Sequence, residues 1–172
     1  MRKKTVSVIK WIVYLVLLYL FFVAQTTFSF LAIFDVRPVL VVAFIVALSM
    51  QEREGYAMAF GLIAGFMWDF SSGKASGFNA AILMVCCIVI SLATMYMVGN
   101  NFLNSIMFCG LTMIFQGLLD FTFFYLIWGY TDSHLILLRH ILPTALYTTV
   151  VTPLFFFLMR RLHNKFESLM EQ

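Results

Sequence analysis

The sequence predicts an all-α integral membrane protein: a compact bundle of about six transmembrane helices, with the second and third segments short. Three observations carry this. First, 63% of the 172 residues are hydrophobic and only 11% are charged, where a soluble domain has roughly 45–50% apolar and about 25% charged residues. The mean hydropathy is +0.97. Second, the apolar residues form continuous runs. A barrel strand alternates apolar and polar residues over about ten positions, whereas a helix meets its own backbone hydrogen bonds, as hydrocarbon requires. Third, the runs are separated by short clusters of charge, glycine and proline. A soluble globular domain, a disordered chain and a secreted disulfide scaffold are excluded. The length suits about six spans of roughly 20 residues and leaves no room for an added soluble catalytic domain.

The segments follow in order. Trp11 to Phe34 is the first, preceded by Arg2, Lys3, Lys4 and Lys10. It is too long for an ordinary signal-peptide apolar core and no small-x-small cleavage site follows, so a retained span is expected. Asp35-Val36-Arg37-Pro38 breaks the run, and Pro38 suits a helix start. The second segment covers 38–50, closed by Gln51-Glu52-Arg53-Glu54-Gly55, and the third covers 56–70. Both fall short of a standard span, which leaves short spans or a re-entrant pair open. Ser71-Ser72-Gly73-Lys74-Ala75-Ser76-Gly77 is a turn by composition. The fourth segment is 78–98, followed by the tight link Gly99-Asn100-Asn101. The fifth is 102–128, interrupted by Gln116 and Asp120. The sixth is 135–159, with Arg139 and His140 near its start and Pro143 and Pro153 inside, and a charged tail follows. One domain spans the chain.

Charge placement sets an orientation. With the N-terminus inside and six crossings, eight of the eleven basic residues fall inside (Arg2, Lys3, Lys4, Lys10, Arg53, Arg160, Arg161, Lys165) and three outside (Arg37, Lys74, Arg139). This obeys the positive-inside rule and expects both termini in the cytoplasm.

Few residues stand out chemically. Ala57, Gly61, Gly65 and Asp69 repeat every four positions and form one stripe on the third segment. Gly61-x-x-x-Gly65 admits a close helix neighbour, either within the bundle or from a docking partner. Asp69 is expected at the outer end, either capping the chain or anchoring a polar network that holds the turn through Gly73, Gly77 and Asn79. Asp120 lies roughly 12 Å inside the fifth segment at 1.5 Å per residue, where a carboxyl group needs a partner. Arg139 and His140 approach from the same side, and Gln116 lies one turn away. A buried polar network of Asp69, Gln116, Asp120, Arg139 and His140 is therefore expected, as a structural clamp in preference to the floor of an outward pocket. Trp11 and Trp128 sit near segment ends, as an interfacial belt expects.

Cys86, Cys87 and Cys109 lie in apolar runs and read as small fillers, as do the 11 Met and 20 Phe residues. Phosphate-loop, zinc-protease and dinucleotide-binding motifs are absent from the sequence. No cofactor, metal, nucleic-acid partner or catalytic set is expected.

The middle of the chain resembles a known family. Arg37-Pro38 before an apolar run, Arg53-Glu54-Gly55, the stripe Gly61-Leu62-Ile63-Ala64-Gly65-Phe66-Met67-Trp68-Asp69, Ser71-Ser72-Gly73 and Gly77-Phe78-Asn79-Ala80 look like the MreD family of rod shape-determining proteins. The resemblance covers roughly residues 36 to 128. It implies a non-enzymatic component of the bacterial inner membrane. It also implies work with an MreC-like periplasmic protein, the RodA–penicillin-binding-protein synthase and the MreB cytoskeleton in building lateral peptidoglycan. The layout resembles a second group, the S-components of energy-coupling-factor vitamin transporters, which usually carry A-x-x-x-A on the first helix. Here Ala24 and Ala32 are eight apart with no alanine between them at 28.

Overall fold

A computed structural model describes residues 2–27, 38–73, 77–123 and 142–171. They form six α-helices, and no strand occurs among the described residues. The helices are α1 (Arg2–Thr27), α2 (Leu40–Ser49), α3 (Glu54–Ser72), α4 (Phe78–Ala93), α5 (Phe102–Phe121) and α6 (Leu142–Glu171). A π-helical turn, Thr94–Val98, extends α4. Four stretches are long and apolar enough to cross a bilayer: Lys4–Thr27, Phe78–Val98, Phe102–Phe121 and Leu142–Leu169. The all-helical membrane bundle expected from the apolar runs is the fold the chain adopts.

The short second segment is its centre. All ten residues of α2 are buried, and α1, α3, α4, α5 and α6 each pack against it. Ten residues rise about 15 Å, roughly half a hydrocarbon core. Its apolar run has no polar face because every face meets another helix. Phe44 packs at 5.5 Å from Phe21 of α1, and Phe21 meets Phe155 of α6 edge-on at 4.7 Å.

A helix that begins inside a bundle exposes backbone N–H groups to an apolar interior. Neighbouring helices meet them here. Val39 N–H donates to Thr148 Oγ1 of α6 at 3.0 Å, and Val41 N–H donates to Gln25 Oε1 of α1 at 3.2 Å. Pro38, just upstream, has no N–H to satisfy.

α3 and α4 form the most extensive helix pair. The stripe Ala57, Gly61, Gly65 is buried and faces α4. A Cβ on Gly61 would stand 2.7 Å from Cys87 Sγ and 2.9 Å from the Leu83 carbonyl oxygen. One on Gly65 would overlap the Ala80 backbone, 2.6 Å from its nitrogen and 2.7 Å from the Asn79 carbonyl oxygen. Within the chain, the stripe packs against α4.

Two segments run longer than their apolar cores. α1 begins at Arg2 instead of Trp11, and α6 continues to Glu171 instead of ending near Met159. The charged tail keeps an inward edge, where Leu162 and Phe166 lie against the core and Phe166 meets Tyr14 edge-on at 6.3 Å. Pro143 falls in the first turn of α6, where its missing N–H costs nothing, and Pro153 lies inside the helix.

Candidate functional site

Buried polar side chains gather at the two ends of the bundle. At one end stands Asp69, 3% exposed near the C-terminus of α3. Its Oδ2 accepts the N–H of Gly77 at 2.8 Å and of Ala80 at 3.4 Å. Its Oδ1 accepts the backbone N–H of Asn79 at 3.1 Å and the Asn79 side-chain amide at 2.9 Å. A carboxylate from α3 therefore caps the start of α4, where unpaired N–H groups and the helix dipole favour negative charge. Two glycines shape the turn it holds. Gly73 closes α3 at φ +63° and Gly77 leads into α4 at φ +97°, a region that side chains with a Cβ avoid.

The clamp reaches a third helix. Gln116 of α5 donates from Nε2 to Asn79 Oδ1 at 3.0 Å, so Asp69, Asn79 and Gln116 link α3, α4 and α5. Asp120 is buried one turn farther along α5. Its expected partners Arg139 and His140 lie outside the described residues, as do Arg37 and Trp128. A recess of about 410 Å³ opens at this end, lined by Gln25, Thr26, Pro38, Val39, Trp68 and Ser71. Asp69, Gln116 and Asp120 are not among its lining residues. Its polar side chains are engaged within the protein: Gln25 with Val41, Thr26 with the Phe22 carbonyl, and Ser71 with the Trp68 carbonyl.

The other end holds an ionic cluster that sequence reasoning missed. Glu52, in the turn between α2 and α3, is 8% exposed, Lys10 of α1 is 5% exposed and Tyr14 is fully buried. Glu52 Oε1 is met by Lys10 Nζ at 2.5 Å and by His163 Nδ1 of α6 at 2.9 Å, and Tyr14 O–H donates to it at 3.3 Å. The Glu52 carbonyl accepts Ser91 Oγ of α4 at 2.8 Å. His163 Nε2 faces Glu167 at 3.3 Å. Burial pushes the Glu52 carboxyl up, but the hydrogen bonds and positive charge of His163 and Lys10 outweigh it and hold the group below the usual glutamate range. Beside the cluster, Gln51 and Asn100 exchange side-chain amide bonds of 2.8 and 3.2 Å, joining the α2–α3 turn to the α4–α5 link.

By sequence, Lys10 belongs to the basic flank of the first segment and Glu52 to the polar break after the second. No spacing joins positions 10, 52 and 163. The one available signal is local: Lys10 stands apart from Lys4, among apolar neighbours and next to Trp11. The meeting of Lys10, Glu52 and His163 also places the start of α1 and the end of α6 at the same end of the bundle.

The family model described as rod shape-determining protein MreD matches residues 5–166. The chain belongs to the MreD family. The match runs from the first turn of α1 through the Glu52 cluster, the glycine-packed α3–α4 pair and the Asp69 cap to Phe166 of α6. Membership assigns the chain to rod shape determination and to a multi-pass membrane protein. No curated protein and no solved structure matches it.

Proposed function

We propose that this MreD-family chain is a non-enzymatic component of the cell-elongation machinery in the bacterial inner membrane. It supports lateral peptidoglycan synthesis and cell shape through helix and loop contacts with partner proteins. The partners expected from the family resemblance are an MreC-like periplasmic protein, the RodA–penicillin-binding-protein synthase and the MreB cytoskeleton. Both termini face the cytoplasm in this reading.

The family match over residues 5–166 carries the reading. Two further observations support it. Asp69, Asn79 and Gln116 at one end, and Lys10 and Glu52 with the part-buried His163 at the other, bond across helices, which is the chemistry of a rigid scaffold. The end of the bundle that holds Lys10 and His163 also carries most of the basic residues, as the cytoplasmic side does.

The test is replacement of the chromosomal gene by an inducible copy, followed by depletion. The expected outcome is rounding of rod-shaped cells and reduced incorporation of glycan along the side wall on depletion, with MreC-like and RodA proteins recovered in a pull-down of the tagged chain before depletion. Depleted cells that stay rod-shaped with unchanged side-wall synthesis would defeat the proposal.

A further inference from the structure

One flank of α6 has a chemistry that bundle packing does not use. Phe155, Phe156 and Met159 turn into the core, while Leu154 is 71% and Phe157 57% exposed. Leu154, Phe157, Leu158 and Arg161 follow the spacing of three and four residues that marks one helix face, and Arg160 and Asn164 stand beside them. These six line a recess of about 630 Å³. Its two ends differ. Leu154, Phe157 and Leu158 make one end apolar, and Arg160, Arg161 and Asn164 make the other polar and cationic. Leu154 and Arg161 are separated by about 10 Å at 1.5 Å per residue. Phe102 of α5 stacks on Phe157 with ring centres 6.3 Å apart, and the Arg160 guanidinium lies 6.0 Å over the Phe156 ring.

The depth of the cationic end follows from the neighbouring cluster. His163, less than one turn beyond Arg160 and Arg161, meets Glu52 and Lys10. Trp11, next to Lys10, stacks on Tyr56 at 4.1 Å, and tryptophan and tyrosine collect at the headgroup level of a bilayer. The guanidinium groups therefore stand at that level, and Leu154 and Phe157 lie in the acyl region below it. Neither arginine has a carboxylate partner among the described residues.

We propose that this recess binds an anionic phospholipid, with its phosphate between Arg160 and Arg161 and an acyl chain along Leu154, Phe157 and Leu158. Guanidinium groups pair with phosphate through two parallel hydrogen bonds and are weakly hydrated. Basic recesses at helix flanks on the cytoplasmic side recognise anionic headgroups in this way. A zwitterionic lipid fits less well, because its ammonium group meets two fixed positive charges. An acidic soluble protein would reach the arginines but not the apolar half of the recess. Lys4, Arg53 and Lys165 are exposed cations that do not line it.

The experiment measures lipid retention by the purified full-length chain, using native mass spectrometry after exchange into mixed phosphatidylglycerol and phosphatidylcholine. The wild type and a charge-matched K4Q/K165Q control should retain phosphatidylglycerol in preference to phosphatidylcholine. R160Q/R161Q should retain it roughly 10–30-fold less. N164E, a single exposed change that leaves both arginines in place, should also weaken retention, whereas S168E should not. Equal losses in R160Q/R161Q and K4Q/K165Q, equal effects of N164E and S168E, or equal retention of the two lipids would overturn the proposal. So would unchanged lipid retention in R160Q/R161Q alongside lost capture of an acidic soluble protein.

Discussion

At the scale of single residues, the two buried clamps respond differently to substitution. Removing one member of a buried ion pair leaves the other charge uncompensated, at a cost of about 3–5 kcal/mol. Lys10→Met should therefore lower the unfolding temperature in detergent strongly. Adding Glu52→Gln to it should cost less than the sum of the single changes, because the buried carboxylate left with His163 alone is then gone. Additive losses across this cycle would show that Lys10 and Glu52 act independently. The cluster also predicts a pH dependence. The Glu52 carboxyl titrates lower in the folded protein than in the unfolded chain. Its contribution is therefore fully present above the usual glutamate range and is lost as pH falls through the folded-state value. Thermal unfolding of the wild type should be more acid-sensitive than that of Glu52→Gln; identical acid profiles would remove Glu52 as the cause. At the opposite end, Asp69→Asn places an amide N–H₂ against backbone donors that now meet carboxylate oxygens. Each buried group left without a partner costs about 1–3 kcal/mol. The amides of Gly77, Asn79 and Ala80 should exchange with solvent faster in Asp69→Asn, with amides in the α5 interior unchanged.

Between elements, backbone proximity decides which glycines matter. Alanine is favoured over glycine inside a helix by about 1 kcal/mol. Gly65→Ala should nevertheless destabilise the protein, since the new methyl group overlaps the Ala80 backbone and α3 and α4 must move apart. Gly110→Ala is the internal control, because its Cβ would meet only Thr149 side-chain atoms at 3.7 and 3.8 Å. Gly110→Ala should be neutral or stabilising. Equal unfolding temperatures for the two variants would refute the close α3–α4 approach. The same principle accounts for α2. A ten-residue apolar helix cannot reach across a bilayer, but it can fill the axis of a bundle if its free N–H groups are met by other helices. Thr148 and Gln25 do this. Neither role is visible in the sequence pattern, because Gln25 and Thr148 lie inside apolar segments and no spacing links them to positions 41 and 39.

At the scale of the whole molecule, Glu52 joins the beginning of α1 to the end of α6, and the α3–α4 turn lies at the other end with Asp69. This arrangement predicts a labelling pattern. In a background lacking Cys86, Cys87 and Cys109, cysteines at Thr5 and Ser168 should react with an impermeant reagent from one side of the membrane. A cysteine at Ser72 should react from the other. Labelling of all three from one side would contradict the spanning topology. The polar groups at both ends tie the helices to one another.

Much of this protein was legible in its residues. Continuous apolar runs dictated helices, since hydrocarbon offers backbone groups no other partners, and the positions of the breaks dictated the order of the six described helices. The stripe Ala57-Gly61-Gly65 announced a close helix contact, and the run of residues around it carried the family resemblance. What the sequence could not show is which faces meet. Lys10 and His163 are separated by most of the chain, and only folding brings them to the Glu52 carboxylate. Nor could it show that the shortest apolar run is the axis of the bundle, because apolar composition is the same facing lipid or facing other helices. Periodicity and composition act through near neighbours along the chain and are written in it. Pairing and burial depend on distant segments meeting, and the tertiary structure alone decides them.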